Sequence, residues 1–282
     1  VKIGVVGVKK GKLIKVDNRV AREQPKPPKA VNRPRVIAPQ GRLIYGKNTV
    51  GEVLRHRIGI IKEVWLSKEA PFVSELIGGR RISVHVFPRE VLDDATGGGV
   101  HQGFVAWVNE SGTSLKQLIG TLDQRAIVLC ASGINDPQNL GSLFRAAECF
   151  GVGGVLYSRS KGAAITPVVS KVAVGAAELV PSVEVANIKR ALDELKEAGF
   201  WVVTADVGEH CTPVWSSQLP DRIVLVVGEE GGGIGRLISE SSDFVVTIPM
   251  FGMVDSLNVA QSAAVMLYEI QRQRAVLSSA PV

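Results

Sequence analysis

Three segments carry residues whose types and spacing suit chemistry. The first, NDPQNLGSLFRAAECFG at 135–151, leads from a polar, proline-containing loop into a helix whose face repeats Leu140, Phe144 and Ala147. Asn139 near the helix start and Arg145 more than a turn later are expected to face one pocket. The second, LVVGEEGGGI at 225–234, is an apolar strand running into two carboxylates, Glu229 and Glu230, and a glycine run. Such glycines let backbone approach a ligand closely. In the third, IPMFGMVDSLNVAQSAAVMLYE at 248–269, a strand ends at Pro249 and SLNV opens a long helix, with Leu257, Ala260, Ala264 and Leu267 on one face. Ser256 stands where a cap is expected. Any one of these segments is accounted for by ordinary turn chemistry. Together and in this order they are far more specific.

The surrounding pattern supplies the elements that must position them. From about Leu43 to Val108 short β-branched strands alternate with helices. Helices are expected over 49–57 and after Pro71 and Pro88, with strands within 60–66 (IIKEVWL), 82–87 (ISVHVF) and 103–108 (GFVAWV). Residues 109–122 read as a polar linker with one helical turn. From 123 a second α/β unit begins, with strands at 126–131 (AIVLCA), 154–157, 200–205, 223–227 and 244–248. Helices are expected over 140–150, 168–177 and 188–198, and from about 258 to 274. Alternation of this kind means an α/β fold with a mainly parallel sheet. The first 42 residues, with five prolines and scattered charge, read as an irregular tail in which VKIGVVGV could form one strand.

Two motifs mislead. GRLIYGK at 41–47 fits seven places of a phosphate-binding loop, but Asn48 stands where a magnesium-binding hydroxyl belongs. The glycines at 231–235 fail the dinucleotide-binding spacing, since Arg236 and Ile238 occupy the required glycine positions. His56, His85, His101 and His210 show no metal-ligand spacing, and Trp65, Trp107, Trp201 and Trp215 are scattered, as for cores and edges. The three cysteines, Cys130, Cys149 and Cys211, lie far apart, which fits a reducing compartment and no zinc or disulfide framework. The net charge of +6 conceals an asymmetry: twelve basic and two acidic residues give the first 42 positions +10, and the other 240 sum to −4. A basic arm is an electrostatic handle for phosphate backbones, and a merely solvated tail reads the same. No apolar run approaches the roughly 20 residues of a membrane span. Without an initiator Met the chain reads as a fragment or as processed. Nothing resembles a secretory signal, and the Lys-rich, Ser-free tail argues against an organelle transit peptide. A cytoplasmic setting is expected, an organelle matrix being the alternative.

The three segments resemble the signature motifs of the SpoU (TrmH) family of RNA ribose 2′-O-methyltransferases, in the SPOUT superfamily, over about 123–275. The unit at 43–108, chiefly IYGKNTVGEVL and HQGFVAWV, resembles the RNA-binding substrate domain of the RlmB-type 23S rRNA guanosine methyltransferases, itself similar to kink-turn-binding ribosomal proteins. The resemblance implies a sheet with a deep trefoil knot, rare among proteins, and a homodimer with each active site near the subunit interface. It implies S-adenosylmethionine as methyl donor, no metal, and RNA of the 23S type as partner. Asn139, Arg145, Glu230, Ser256 and Asn258 match the catalytic positions. Gly228, Ile248 and Leu257 match positions that hold the donor, largely through backbone groups. The family often reads SLNVS; here the last position is Ala260, at the cost of one side-chain hydrogen bond.

Methyl transfer to a 2′-hydroxyl needs a nucleophilic oxygen, in-line placement of the sulfonium methyl and a site that tolerates departing charge. Arg145 stays protonated and is a poor general base, so it is expected to bind the phosphate beside the target ribose. A phosphate oxygen, or an unusually perturbed Arg145, then takes the proton. Asn139, Ser256 and Asn258 are expected to position the ribose and order the loops, and Glu230 to fix a neighbouring backbone or arginine. The alternatives are a tRNA methyltransferase of the same family, a non-catalytic RNA-binding assembly factor, and a P-loop NTPase.

Overall fold

The computed structural model describes residues 38–109, 112–158, 162–207, 211–228 and 236–279. The strand expected in VKIGVVGV, and the residues Glu229, Glu230 and 231–235, lie outside the described residues.

Two sheets organise the chain. The first is built from β1 (Arg42–Tyr45), α1 (Lys47–His56), β2 (Ile61–Leu66), α2 (Pro71–Ile77), β3 (Ser83–Val86), α3 (Arg89–Ala95) and β4 (Phe104–Val108). Its order is β1-β4-β2-β3, with β4 antiparallel to both neighbours and β2 parallel to β3. Alternation splits its side chains between two small cores. One holds Ile44, Val50, Val53, Val64 and Ala106; the other holds Tyr45, Trp65, Leu92 and Trp107. Trp65 and Trp107 meet with ring centroids 4.2 Å apart, whereas Trp201 and Trp215 are exposed. The strand β1 was not expected: RLIY is four residues long and too short for alternation to declare itself.

The second sheet follows α4 (Leu115–Thr121), which is longer than the expected single turn and starts with a capping box between Ser114 and Gln117. Its elements are β5 (Ile127–Ser132), α5 (Pro137–Cys149), β6 (Gly154–Ser158), α6 (Pro167–Val172), α7 (Ala176–Leu179), β7 (Ser182–Val185), α8 (Ile188–Glu197), β8 (Trp201–Ala205), β9 (Thr212–Pro213), β10 (Ile223–Gly228), α9 (Arg236–Ser239), β11 (Phe244–Thr247) and α10 (Val259–Ser279). The order is β7-β6-β5-β10-β8-β11-β9, and every neighbouring pair is parallel.

A parallel sheet with both faces covered needs strands apolar on both sides, and β5 and β10 supply them. Ile127, Leu129, Ile223, Leu225 and Val227 face the core shared with α5 and α10, and Val128, Cys130, Val224 and Val226 face the core of α4 and α8. Burial pushes the Cys130 thiol up to about 12, so it stays protonated and inert at neutral pH.

Helix α5 carries the first motif. Asp136 caps it by accepting from the Gln138 N–H at 2.9 Å, and Pro137 takes the first turn. Leu140, Leu143, Phe144 and Ala147 are buried against the sheet. Gly141 lets α6 come close, since a Cβ there would lie 2.7 Å from the Val172 Cβ. The single helix expected over 168–177 is two helices. The chain turns between them with Val174 at φ 56° and Gly175 at φ 89°, and two successive residues of positive φ end a right-handed helix.

Helix α10 packs on α5 through Val259, Ala263, Met266, Leu267 and Ile270. Glu269 on this helix is held below the ordinary carboxylate value of 4.5, chiefly by its hydrogen bond with Arg272, at 2.7 and 2.8 Å to the two oxygens. A depressed folded-state value stabilises the fold above the unfolded value and stops doing so as pH falls through the folded one. Thermal melts therefore show stability falling below about pH 4.5, with a shallower fall in Glu269→Gln over that window. Equal slopes would show that Glu269 contributes nothing to it.

Candidate functional site

Parallel strands deliver the three motifs to one edge. The carboxyl ends of β5, β10 and β11 all open on the same side of the sheet, with Ser132 paired to Gly228 at the ends of adjacent strands. Loops leaving the carboxyl ends of such strands where the order changes direction form the usual ligand crevice of open α/β sheets. Here β6 and β7 lie on one side of β5, and β10 lies on the other.

Two of the expected residues meet directly. The Asn258 side-chain Nδ2 donates to Asn139 Oδ1 at 2.8 Å, joining the first motif to the third across 119 positions of chain. The other side-chain atom of Asn258 is also engaged, its Oδ1 accepting from the Ala260 N–H at 2.9 Å. The Asn258 carbonyl accepts the first helical bond, from Ser262, so Asn258 is the cap of α10. Ser256, expected in that role, is exposed and lies in the loop two residues earlier. Because Oδ1 faces an N–H, the Asn258 amide orientation is settled. Asn139 must then present its oxygen to Asn258, which turns its own Nδ2 outward as a donor. Ala260 is buried and its bond to the cap comes from backbone, so that bond does not depend on its side chain.

Arg145 stands apart from this pair. Six residues along a helix of 3.6 per turn put it about 120° round from Asn139. It is exposed and makes no hydrogen bond or ion pair with a described residue. The two flank the buried stripe of α5 on opposite sides, so helical position alone does not bring them to one pocket.

Gly228 ends β10, and Ile248 follows β11 and packs partly buried on the main core. Leu257 is half-buried just before α10. Between them the loop exposes Phe251, Met253 and Val254, and Phe251 stacks on Trp215 with ring planes 9° apart. The backbone of 250–257 makes no hydrogen bond to a described residue. Glu230 lies outside the described residues. Sequence reasoning missed Glu178, which is 2% exposed and joins the two sheets. Its signal was a lone carboxylate inside the apolar run AVGAAELV.

Residues 126–268 match the SpoU rRNA Methylase family, and residues 43–113 match the family of RNA 2′-O ribose methyltransferase substrate-binding domains. The chain belongs to the SpoU rRNA methylase family. It is 38% identical over 242 residues to the 23S rRNA (guanosine-2′-O-)-methyltransferase RlmB of Pseudomonas putida, covering 83% of this chain and 97% of that one. It is 35% identical over 243 residues to the RlmB of Escherichia coli, covering 82% and 98%. Among solved structures it is similar to the SpoU methyltransferase AviRb of Streptomyces viridochromogenes, with TM-score 0.72 at 21% identity over 83% of this chain and 90% of that one. A crystal structure of an RNA 2′-O ribose methyltransferase is similar with TM-score 0.67 at 25% identity, over 83% and 88%. The α/β architecture, a mainly parallel second sheet behind a smaller α/β lobe, is thus the SpoU one. No described helix is long and apolar enough to cross a membrane.

Proposed function

We propose that this SpoU family member transfers a methyl group from S-adenosylmethionine to the ribose 2′-hydroxyl of a guanosine in 23S-type ribosomal RNA, in the cytoplasm. Residues 43–108 serve as its RNA-binding domain and 123–282 as methyltransferase domain, and the connection at 109–122 carries α4, which packs on the second sheet. The observation that carries this reading is the Asn139–Asn258 bond, which ties two motif loops together at the carboxyl edge of the sheet. The RlmB relatives, alike over almost their whole length, bear that activity in their names.

The donor fits the residues present. A loop at 250–257 whose backbone amides and carbonyls are engaged by no described residue offers the groups that a polar ligand needs, and Gly228, Ile248 and Leu257 would hold it. When bound, the donor supplies an electrophilic methyl. The chain supplies position and charge. Asn139 donates through Nδ2 toward the ribose, Asn258 holds Asn139, and Ser256 lies in the loop before it. Arg145, engaged by no described residue, binds the phosphate beside the target and steadies negative charge as the 2′-oxygen gives up its proton to a phosphate oxygen. We assign Glu230 to ordering the second motif loop.

A homodimer completes this reading. Phe251, Met253, Val254, Val265 and Tyr268 are large apolar residues left exposed on the loop before α10 and on α10 itself, and apolar patches of this kind mark interaction surfaces. A second copy seated there would cover them and bring RNA phosphate to the exposed Arg145.

Mapping 2′-O-methylation on total RNA incubated with the protein and S-adenosylmethionine tests the activity. One new modified guanosine in large-subunit RNA is expected. Modification confined to transfer RNA, or none, would refute it.

A further inference from the structure

Among the described residues no apolar cluster spans the two sheets; each keeps its own cores. They meet instead through polar groups on β1, α1 and the segment from α6 to α7. Arg42 donates to Glu178 Oε1 at 2.6 Å and to Ser170 Oγ at 2.7 Å, and Ser170 Oγ donates to the same carboxylate oxygen at 2.6 Å. Arg57 donates to the Glu178 backbone carbonyl. The Glu178 side chain is wholly buried, and its Oε2 has no hydrogen-bond partner. Next to it, Lys171 donates to the Val100 carbonyl and lies 5.2 Å from the centre of the Tyr45 ring.

Backbone geometry serves the same junction. At Gly175 a Cβ would lie 3.1 Å from the Thr49 carbonyl oxygen and 3.3 Å from Val53 Cγ2, so the turn comes against α1 as only glycine can. Val174, a β-branched residue at φ 56°, is strained there. A polar cleft of about 540 Å³ runs beside the contact, lined among others by Arg42, Arg57, Asn109, Tyr157, Glu178 and Ser182.

A buried ion pair with an unsatisfied oxygen is a poor source of stability, because desolvating the charges consumes most of what their attraction returns. What such a pair does well is fix one arrangement against its neighbours, since slipping leaves a buried charge unpaired. We infer that Glu178 is a positioning residue: by holding Arg42 with its carboxylate, beside the Arg57 bond to its backbone carbonyl, it locks the RNA-binding lobe in one orientation on the methyltransferase lobe. RNA gripped by the first lobe then reaches the motif loops in register. This rests on the proposed function for its consequence, but not for the lock itself.

The test uses the full chain with Cys149→Ser and Cys211→Ser, carrying nitroxides at Glu90→Cys and Arg190→Cys, one on each lobe. Interlobe distances come from pulsed spin resonance, alongside RNA methylation kinetics. The unmodified junction gives one narrow distance. Glu178→Gln, and independently Arg42→Met, broaden it and raise KM for a long ribosomal RNA fragment about tenfold, as when the competent state falls to about a tenth of the population. kcat and donor affinity stay within about twofold. A distance as narrow in both variants as in the parent overturns the lock. Broadening accompanied by a fall in kcat with KM unchanged overturns the consequence drawn for RNA register. If the parent methylates no RNA, the proposed function fails while the distances still decide the lock.

Discussion

Arg145→Ala lowers kcat/KM for RNA methylation at least about 10³-fold, the scale on which removal of a charged transition-state partner acts in phosphate chemistry. Calorimetry with S-adenosylmethionine shows donor binding within about threefold of the parent, because the proposed donor site is formed by the motif loops and not by α5. The physical ground is the isolation of the side chain. Arg145 is exposed and engaged by no described residue, so its loss removes no packing and leaves no partner stranded. The folded state is therefore expected to melt within about 0.5 kcal/mol of the parent, as for ordinary surface substitutions. Arg145→Lys separates charge from geometry. A lysine keeps the charge but not the planar fork that grips phosphate at two oxygens, and it recovers only part of the rate. Turnover by the alanine variant at the parent's rate would remove Arg145 from the reaction.

Asn258 allows a sharper dissection, because its two amide atoms do different work. Asn258→Ala removes both the cap of α10 and the bond to Asn139. The lost cap costs about 1 kcal/mol of stability, and methylation falls about 10²-fold, the penalty for a reacting group misplaced by an ångström. Asn258→Asp keeps the cap, since a carboxylate accepts from the Ala260 N–H as well as an amide does, but it can only accept, so Asn139 turns its Nδ2 inward to meet it and no longer presents a donor outward. Thermal melts of the aspartate variant should match the parent, while its kcat falls as far as that of the alanine variant. If both variants lose activity only in proportion to stability, the Asn139–Asn258 bond is structural and nothing more.

These two residues also show how the sequence could be read and where it stopped. Asn139 and Asn258 stood out because polar side chains followed apolar strands at the mouths of helices, and Arg145 because it lay beyond Asn139 on the same helix, a local pattern visible without a fold. The strands themselves were legible for the same reason. Ile127 to Ala131 and Ile223 to Val227 are apolar at every position, as a strand covered on both faces must be. The cap of α10 was misassigned to Ser256, because two capping-competent residues two positions apart cannot be ranked until the helix start is fixed by packing.

What the chain alone determined is therefore what short-range physics controls: α/β alternation, the long helices α5 and α10, the three motif loops and, by resemblance, the family. The tertiary structure decided what depends on residues distant in sequence. The order β7-β6-β5-β10-β8-β11-β9 puts the three loops on one edge, and no local periodicity encodes which strand lies beside which. It fixed the roll of α5 by burying Leu140, Leu143, Phe144 and Ala147, which leaves Arg145 exposed. It also buried Glu178 against an arginine 136 positions away. A carboxylate in an apolar run announces that it needs a partner, but only the packing of two separately folded cores chooses Arg42 to be that partner.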